Sequence, residues 1–251
     1  MSDLWFTRAT LKTGSADVAP LLNTLLATDA SGHGRDTTHR LLWTLMPESM
    51  QGAGKLGAAG GDRAAFLWCR APDREKRPAW YVLGPAPRAD AALFEVESKP
   101  WSLAPSAGDR LLFELTVHAT VDRMLAPEQG REGRKRIDVV LDAILAAERE
   151  GEAAARAEIR RERGEKAMRN WWASQGARCG FTPLSTAMVD YHTLPLGRSR
   201  TRGRNPVQLG IARLNGTIEV TDPAAFAHKV AVGFGRAKAF GCGLMLLRRS
   251  G

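Results

Sequence analysis

A glycine-studded stretch near the C-terminus, Gly233–Leu247 (GFGRAKAFGCGLMLL), constrains this chain more than any other segment. Gly233, Gly235, Gly241 and Gly243 frame two cations, Arg236 and Lys238, and the apolar run Leu244-Met245-Leu246-Leu247 closes it. Upstream, Thr221-Asp222-Pro223 predicts a helix start, with Asp222 as cap and Pro223 at the first helical position. Phe226, Val230 and Val232 give that helix a short apolar face, and Gly233 is a left-handed stop. The closing run predicts a buried strand, so the loop leads from a helix into a strand. Phosphate loops of nucleotide-binding folds run the other way, which lets a helix N-terminus face the phosphate. Lys238 also stands where a dinucleotide fingerprint needs glycine, and no GxxxxGK[ST] occurs. What remains is either a loop kept thin for packing or a basic backbone surface able to sit close against a polyanion.

Charge bears on that choice. Lys plus Arg number 36 against 27 Asp plus Glu, a net charge of +9 with a pI near 10.0. This balance favours a polyanionic partner without separating RNA, DNA and membrane. The 251 residues suffice for one large domain or two small ones. Cys69, Cys179 and Cys242 are far apart, odd in number and form no CxxC. That spacing suggests neither a disulfide framework nor a zinc site and predicts a cytoplasmic protein. No apolar run has the length of a membrane span, and no basic-then-apolar signal opens the chain.

Alternating patterns predict strands at Leu4–Leu11, Ala64–Cys69, Ala79–Leu83 and Leu111–Val117. Helical spacing runs through Val18–Leu26, and after a break at Ser31–Gly34 a second helix capped by Asp36 runs to Pro47. Glu48–Asp62 reads as a glycine-rich loop, and Glu128–Arg136 as a charged boundary between two halves. The second half opens on Val139–Trp172, helix-rich, with Ala153–Glu165 a solvated Ala/Arg/Glu face and Trp171-Trp172 meeting a core. Strand material follows from Cys179 to Leu194, and Asn215-Gly216 predicts a two-residue hairpin turn. Two α/β units in series are what a pair of ferredoxin-like domains would produce, although no short sequence repeat marks a duplication.

A helix, then G-x-G-x-x-K-A-x-G-x-G-L, then a terminal strand resembles the signature of CRISPR repeat-processing endoribonucleases. The form that fits is CasE, the RNA-processing subunit of the type I-E Cascade complex; Gly233, Gly235, Lys238, Ala239, Gly241, Gly243 and Leu244 carry the match. CasE-like sequences also place a histidine early in the chain within H-x-x-L-W-x-L-x-P, and His39, Leu42, Trp43, Leu45 and Pro47 fit that pattern. The resemblance implies an α+β fold of two tandem ferredoxin-like (βαββαβ) domains, at residues 1–125 and 126–251. It implies His39 as the catalytic residue, with neighbouring Arg40, Arg236 and Lys238 against RNA.

The implied chemistry is an attack of an RNA 2′-hydroxyl on the adjacent phosphate, leaving a 2′,3′-cyclic phosphate and a 5′-hydroxyl. A protein speeds it by moving protons near neutral pH, stabilising phosphate charge and holding in-line geometry. Histidine titrates in that range, and His39 could act as base or acid. No His/Asp/Glu cluster has metal-ligand spacing, so neither a metal nor another cofactor is expected. Arg198, Arg200, Arg202 and Arg204 recur at every second residue of Gly197–Asn205, which in an extended segment puts four guanidiniums on one face. The family grips the repeat stem with a basic hairpin at this place.

Two departures stand out. Some relatives carry a tyrosine three residues before the histidine, where this chain has Asp36, and an Arg-x-Asn-Pro stretch where this chain reads Thr116-Val117-His118-Ala119. His118 is thus a second, minor catalytic candidate, while His33, His192 and His228 read as structural or solvent-facing. The expected partners are the CRISPR repeat stem-loop and other Cascade subunits, including the backbone subunit. The rivals are a subunit that holds the RNA hairpin without cutting and a generic duplex binder.

Overall fold

The computed structural model describes residues 4–12, 34–51, 64–74, 77–124, 133–151, 155–196 and 207–250. They form two compact units. The first takes the described parts of Met1–Ala104 and Pro195–Val207 together with Val230–Leu244; the second takes the described parts of Pro105–Leu194, Gln208–Lys229 and Met245–Gly251. The expected divide after residue 125 followed chain order, whereas these units interleave. Leu111–Val117 already belongs to the second unit because its hydrogen-bonding partners are strands from the far end of the chain.

In the first unit, β1 (Trp5–Leu11), β2 (Leu67–Arg74), β3 (Arg77–Gly84) and β4 (Phe94–Pro100) form a sheet in the order β2-β3-β1-β4. All three pairings are antiparallel. Helix α1 (Gly34–Trp43) lies between β1 and β2 in the chain. It starts at Gly34, so Asp36 stands inside the helix and not at its cap. At the other end the amides of Thr44, Leu45 and Met46 donate to the carbonyls of Leu41, Leu42 and Trp43, a tightened last turn before Pro47. A short helix, α2 (Glu48–Gln51), follows where a loop was expected. Leu42, Leu45 and Met46 bury themselves with Ala9, Leu11, Phe66, Trp68, Trp80, Val82 and Phe94. Residues 85–93 cross from β3 to β4 without a helix, held at Arg88, whose amide donates to Leu45 at 2.9 Å.

The second unit is a complete βαββαβ. Strands β5 (Arg110–Val117), β8 (Phe181–Leu196), β9 (Val207–Val220) and β10 (Met245–Arg249) lie in the order β10-β5-β9-β8. Between β5 and β8 come α3 (Val139–Arg149), α4 (Arg156–Ile159), a π-turn at Arg160–Gly164 and α5 (Glu165–Cys179). Helix α6 (Pro223–Val232) follows β9. Strands β6 (Thr120–Met124) and β7 (Arg134–Asp138) pair antiparallel; β7 takes in the end of the stretch read as a charged boundary, whose residues 128–132 lie outside the described residues. In the described part of the Ala153–Glu165 stretch Ile159 and Gly164 are buried, while Glu158, Arg161 and Glu162 are exposed as a solvated face requires.

Trp172 anchors this core as its doublet with Trp171 predicted: fully buried, its ring lies 5.0 Å from Phe113 and 4.7 Å from Phe181. Trp172→Ala should lower unfolding free energy by about 3–5 kcal/mol in denaturant titration; a drop under ~1 kcal/mol would show that the cluster does not hold the unit together.

The Asn215-Gly216 hairpin does not form. Strand β9 runs straight through, with Asn215 opposite Glu114 and Gly216 opposite Phe113 on β5. Glycine is needed there for closeness, because a Cβ on residue 216 would lie 2.1 Å from the Ser185 carbonyl oxygen. Ser185 Oγ in turn accepts from the Thr217 amide at 3.0 Å. The connection from β8 to β9 is instead the arginine-rich segment. Both units show the strand order of ferredoxin-like domains, and the fold is α+β, as expected. Among the described residues no helix is long and apolar enough to cross a membrane.

Candidate active site

His39 sits in the last turns of α1, four residues before Trp43. That spacing places the two side chains on one helix face. The Trp43 indole N–H donates to His39 Nε2 at 3.1 Å. Phe66, 2% exposed, stacks on the imidazole with ring centroids 5.1 Å apart, and meets Trp43 edge-on at 5.3 Å. The indole nitrogen can only donate, so Nε2 is the accepting atom of this contact. Arg40, the next residue, is exposed.

The glycine loop belongs to the same compact unit as His39. Helix α6 begins as expected, with Asp222 Oδ1 accepting from the Ala224 and Ala225 amides at 3.0 Å each. The chain then turns at Gly233 (φ 85), Gly235 (φ 62), Gly241 (φ 73) and Gly243 (φ 94), all left-handed. Gly243 closes the loop on itself: its carbonyl accepts from the Phe234 amide at 3.0 Å, and a Cβ there would stand 2.6 Å from the Phe234 carbonyl oxygen. Between these turns Lys238–Phe240 form one turn of 3₁₀ helix that packs against α1 and β2. Arg236 is exposed on the loop, and Lys238 is half-buried, its stem reaching past Gly243. Loop packing and basic surface are therefore both present: Phe234, Cys242 and Leu244 are buried while the cations point outward or lie at the rim.

Arg198, Arg200, Arg202 and Arg204 lie outside the described residues, as does His33. His118 is in the second unit, 8% exposed, and its Nδ1 donates to the Gly210 carbonyl at 2.7 Å. Asp138 Oδ2 stands 3.6 Å from the same nitrogen. Asp138 also caps α3 through the Val140 and Leu141 amides and accepts from Tyr191 Oη at 2.8 Å. Burial, then the Asp138 charge, pushes the Tyr191 phenol far above its usual range, so it stays a donor. His118 thus works inside a buried polar cluster that ties α3 to β8 and β9. His192 is exposed beside Asp190, and His228 is exposed on α6, as expected for both.

The sequence by itself does not announce the pairing of His39 with Trp43. An aromatic donor four residues along one helix is the available signal, but only burial and ring orientation reveal the hydrogen bond.

A family model described as CRISPR associated protein matches residues 4–249. The chain belongs to this family. No curated protein sequence matches it. Its fold is similar to that of Thermus thermophilus Cse3 bound to an RNA representing a pre-cleavage complex, at 19% identity and a TM-score of 0.60, covering 98% of this chain and 99% of that one. Cas6e from Escherichia coli K-12 is similar at 15% identity and a TM-score of 0.51, over 98% of this chain and 100% of the other. A chain of a CRISPR RNA-guided surveillance complex, pre-nicking, is similar at 18% identity and a TM-score of 0.55, again over 98% and 100%. What the chain shares with these solved structures is the fold.

Proposed function

We propose that this chain is a CasE-type endoribonuclease that processes precursor CRISPR RNA as a subunit of a Cascade complex. It cuts at the base of each repeat stem-loop without a metal, leaves 2′,3′-cyclic phosphate and 5′-hydroxyl ends, and keeps the 3′ hairpin of the mature guide. One observation carries this reading: α1, bearing His39, and the glycine loop, bearing Arg236 and Lys238, come from opposite ends of the chain and pack together in one unit. An imidazole on a helix packed against a cation-bearing loop is the kind of arrangement that proton transfer at a phosphate uses. The similar solved chains support it, being named as a CRISPR endoribonuclease with RNA and as part of a surveillance complex.

In this scheme His39 moves the proton, and Arg40, Arg236 and Lys238 meet phosphates around the reacting one. Arg198, Arg200, Arg202 and Arg204 grip the stem through phosphates and shape, since A-form RNA hides its base edges. Other Cascade subunits, among them the backbone subunit, dock on the protein in the cytoplasm. The test is cleavage of cognate repeat RNA in EDTA, with a 2′-deoxy substitution at the cut site as control. Cutting that needs the 2′-hydroxyl and survives EDTA is the expected result, and cutting restored only by added metal would sink the mechanism. Lys238→Ala should slow single-turnover cleavage by ~10²-fold, with hairpin affinity reduced far less; an unchanged rate would remove the loop from the chemistry.

The second reading is a subunit that holds the hairpin without cutting. Asp36, in place of the tyrosine of some relatives, favours it. Tight hairpin binding with no cyclic-phosphate product would decide for it.

A further inference from the structure

We infer that Trp43 is a positioning residue for the catalytic imidazole: its indole N–H fixes His39 as the Nδ1–H tautomer and keeps Nε2 able to accept a proton. The inference rests on His39 being the proton-transfer residue, as proposed above.

Three observations combine. The indole N–H is directed at Nε2 at 3.1 Å, a normal hydrogen-bond length, and a donor at that nitrogen is compatible only with a lone pair there. Phe66 lies against the imidazole face at 5.1 Å with an interplanar angle of 30°, which leaves the ring little freedom to swing away. Phe66 and Leu42 are core residues, so both the stacking ring and the helix that carries His39 and Trp43 are fixed by packing. In a histidine the proton on one nitrogen is set by the bond the other makes. Here the fold supplies that bond from the same helix, one turn away, and it is in place before any RNA arrives. A substrate hydroxyl approaching Nε2 takes over the position of the indole at a nitrogen already in the accepting form. Carboxylate or carbonyl acceptors orient many catalytic histidines from Nδ1; this one is oriented from the opposite side by a donor.

The test is ring-nitrogen NMR on the full chain labelled with ¹⁵N-histidine, without RNA and at a pH where His39 is neutral, with the His39 signals assigned through His39→Gln. Wild type should show protonated Nδ1 and bare Nε2. Trp43→Phe keeps an aromatic ring against Phe66 and removes only the donor; the Nε2–H tautomer should then gain population. Phe66→Leu, which loosens packing but spares the indole, should retain the wild-type tautomer. Single-turnover cleavage should fall by about two- to tenfold in Trp43→Phe, the range expected for one missing hydrogen bond. A wild-type spectrum with the proton on Nε2, or a Trp43→Phe spectrum identical to wild type, overturns the inference. Neither spectrum depends on cleavage, so a protein that never cuts RNA would still decide the role of Trp43.

Discussion

His39→Ala should abolish product release from repeat RNA while leaving hairpin binding intact. Removing a positioned proton-transfer group costs typically 10²–10⁴-fold in rate, and no described residue of the first unit offers a replacement imidazole. The side chain is half-buried between Phe66 and Trp43, and its removal leaves Leu42, Leu45 and Met46 on the core side of the segment untouched. Folding should therefore survive, which makes the rate loss interpretable. The assay is single-turnover cleavage with end-group analysis, beside a binding isotherm on a 2′-deoxy hairpin. If cutting persisted within about threefold of wild type, His39 would not be the proton-transfer residue. His118 is a poor substitute, since its Nδ1 is committed to the Gly210 carbonyl in a buried cluster.

The second large effect is expected from the arginine segment between β8 and β9. Replacing Arg198, Arg200, Arg202 and Arg204 together by alanine should weaken hairpin binding steeply and flatten its salt dependence. Every phosphate left without its guanidinium takes roughly 0.7–0.9 from the slope of log affinity against log salt, so four arginines together account for about three. Cleavage by the variant at saturating protein should fall much less than binding if, as proposed, the segment serves to grip the stem. Equal weakening for repeat hairpins and unrelated duplexes would mark the arginines as phosphate-binding only. A larger effect on the cognate repeat would mean that guanidiniums also read the stem. An unchanged salt slope would remove the segment from the RNA interface altogether.

Much of this protein was legible because local rules were obeyed. Asp222-Pro223 starts α6, Gly233 stops it, and the alternation at Leu111–Val117 is a strand with one face buried. His39 was singled out by its motif and not by anything local. The failures have specific causes. Asn215-Gly216 has the composition of a tight turn, yet its glycine serves the approach of Ser185 on a neighbouring strand, a requirement that no window of sequence contains. The β6–β7 hairpin was hidden because its exposed strands carry charge on both faces and show no apolar alternation. Asp36 has the character of a cap, but α1 had already begun at Gly34.

By itself, then, the sequence determined the elements whose signals are contained in a few adjacent residues, the basic net charge of the chain, and the motif in which His39 stands. Tertiary structure alone decided which pieces share a unit. The glycine loop joins the N-terminal sheet while the strand after it joins the other, because hydrogen-bond pairing and side-chain burial act on neighbours in space without regard to chain order. His39 shows the same division: the motif singles the residue out, and only packing brings the Trp43 indole N–H and the Phe66 ring against it.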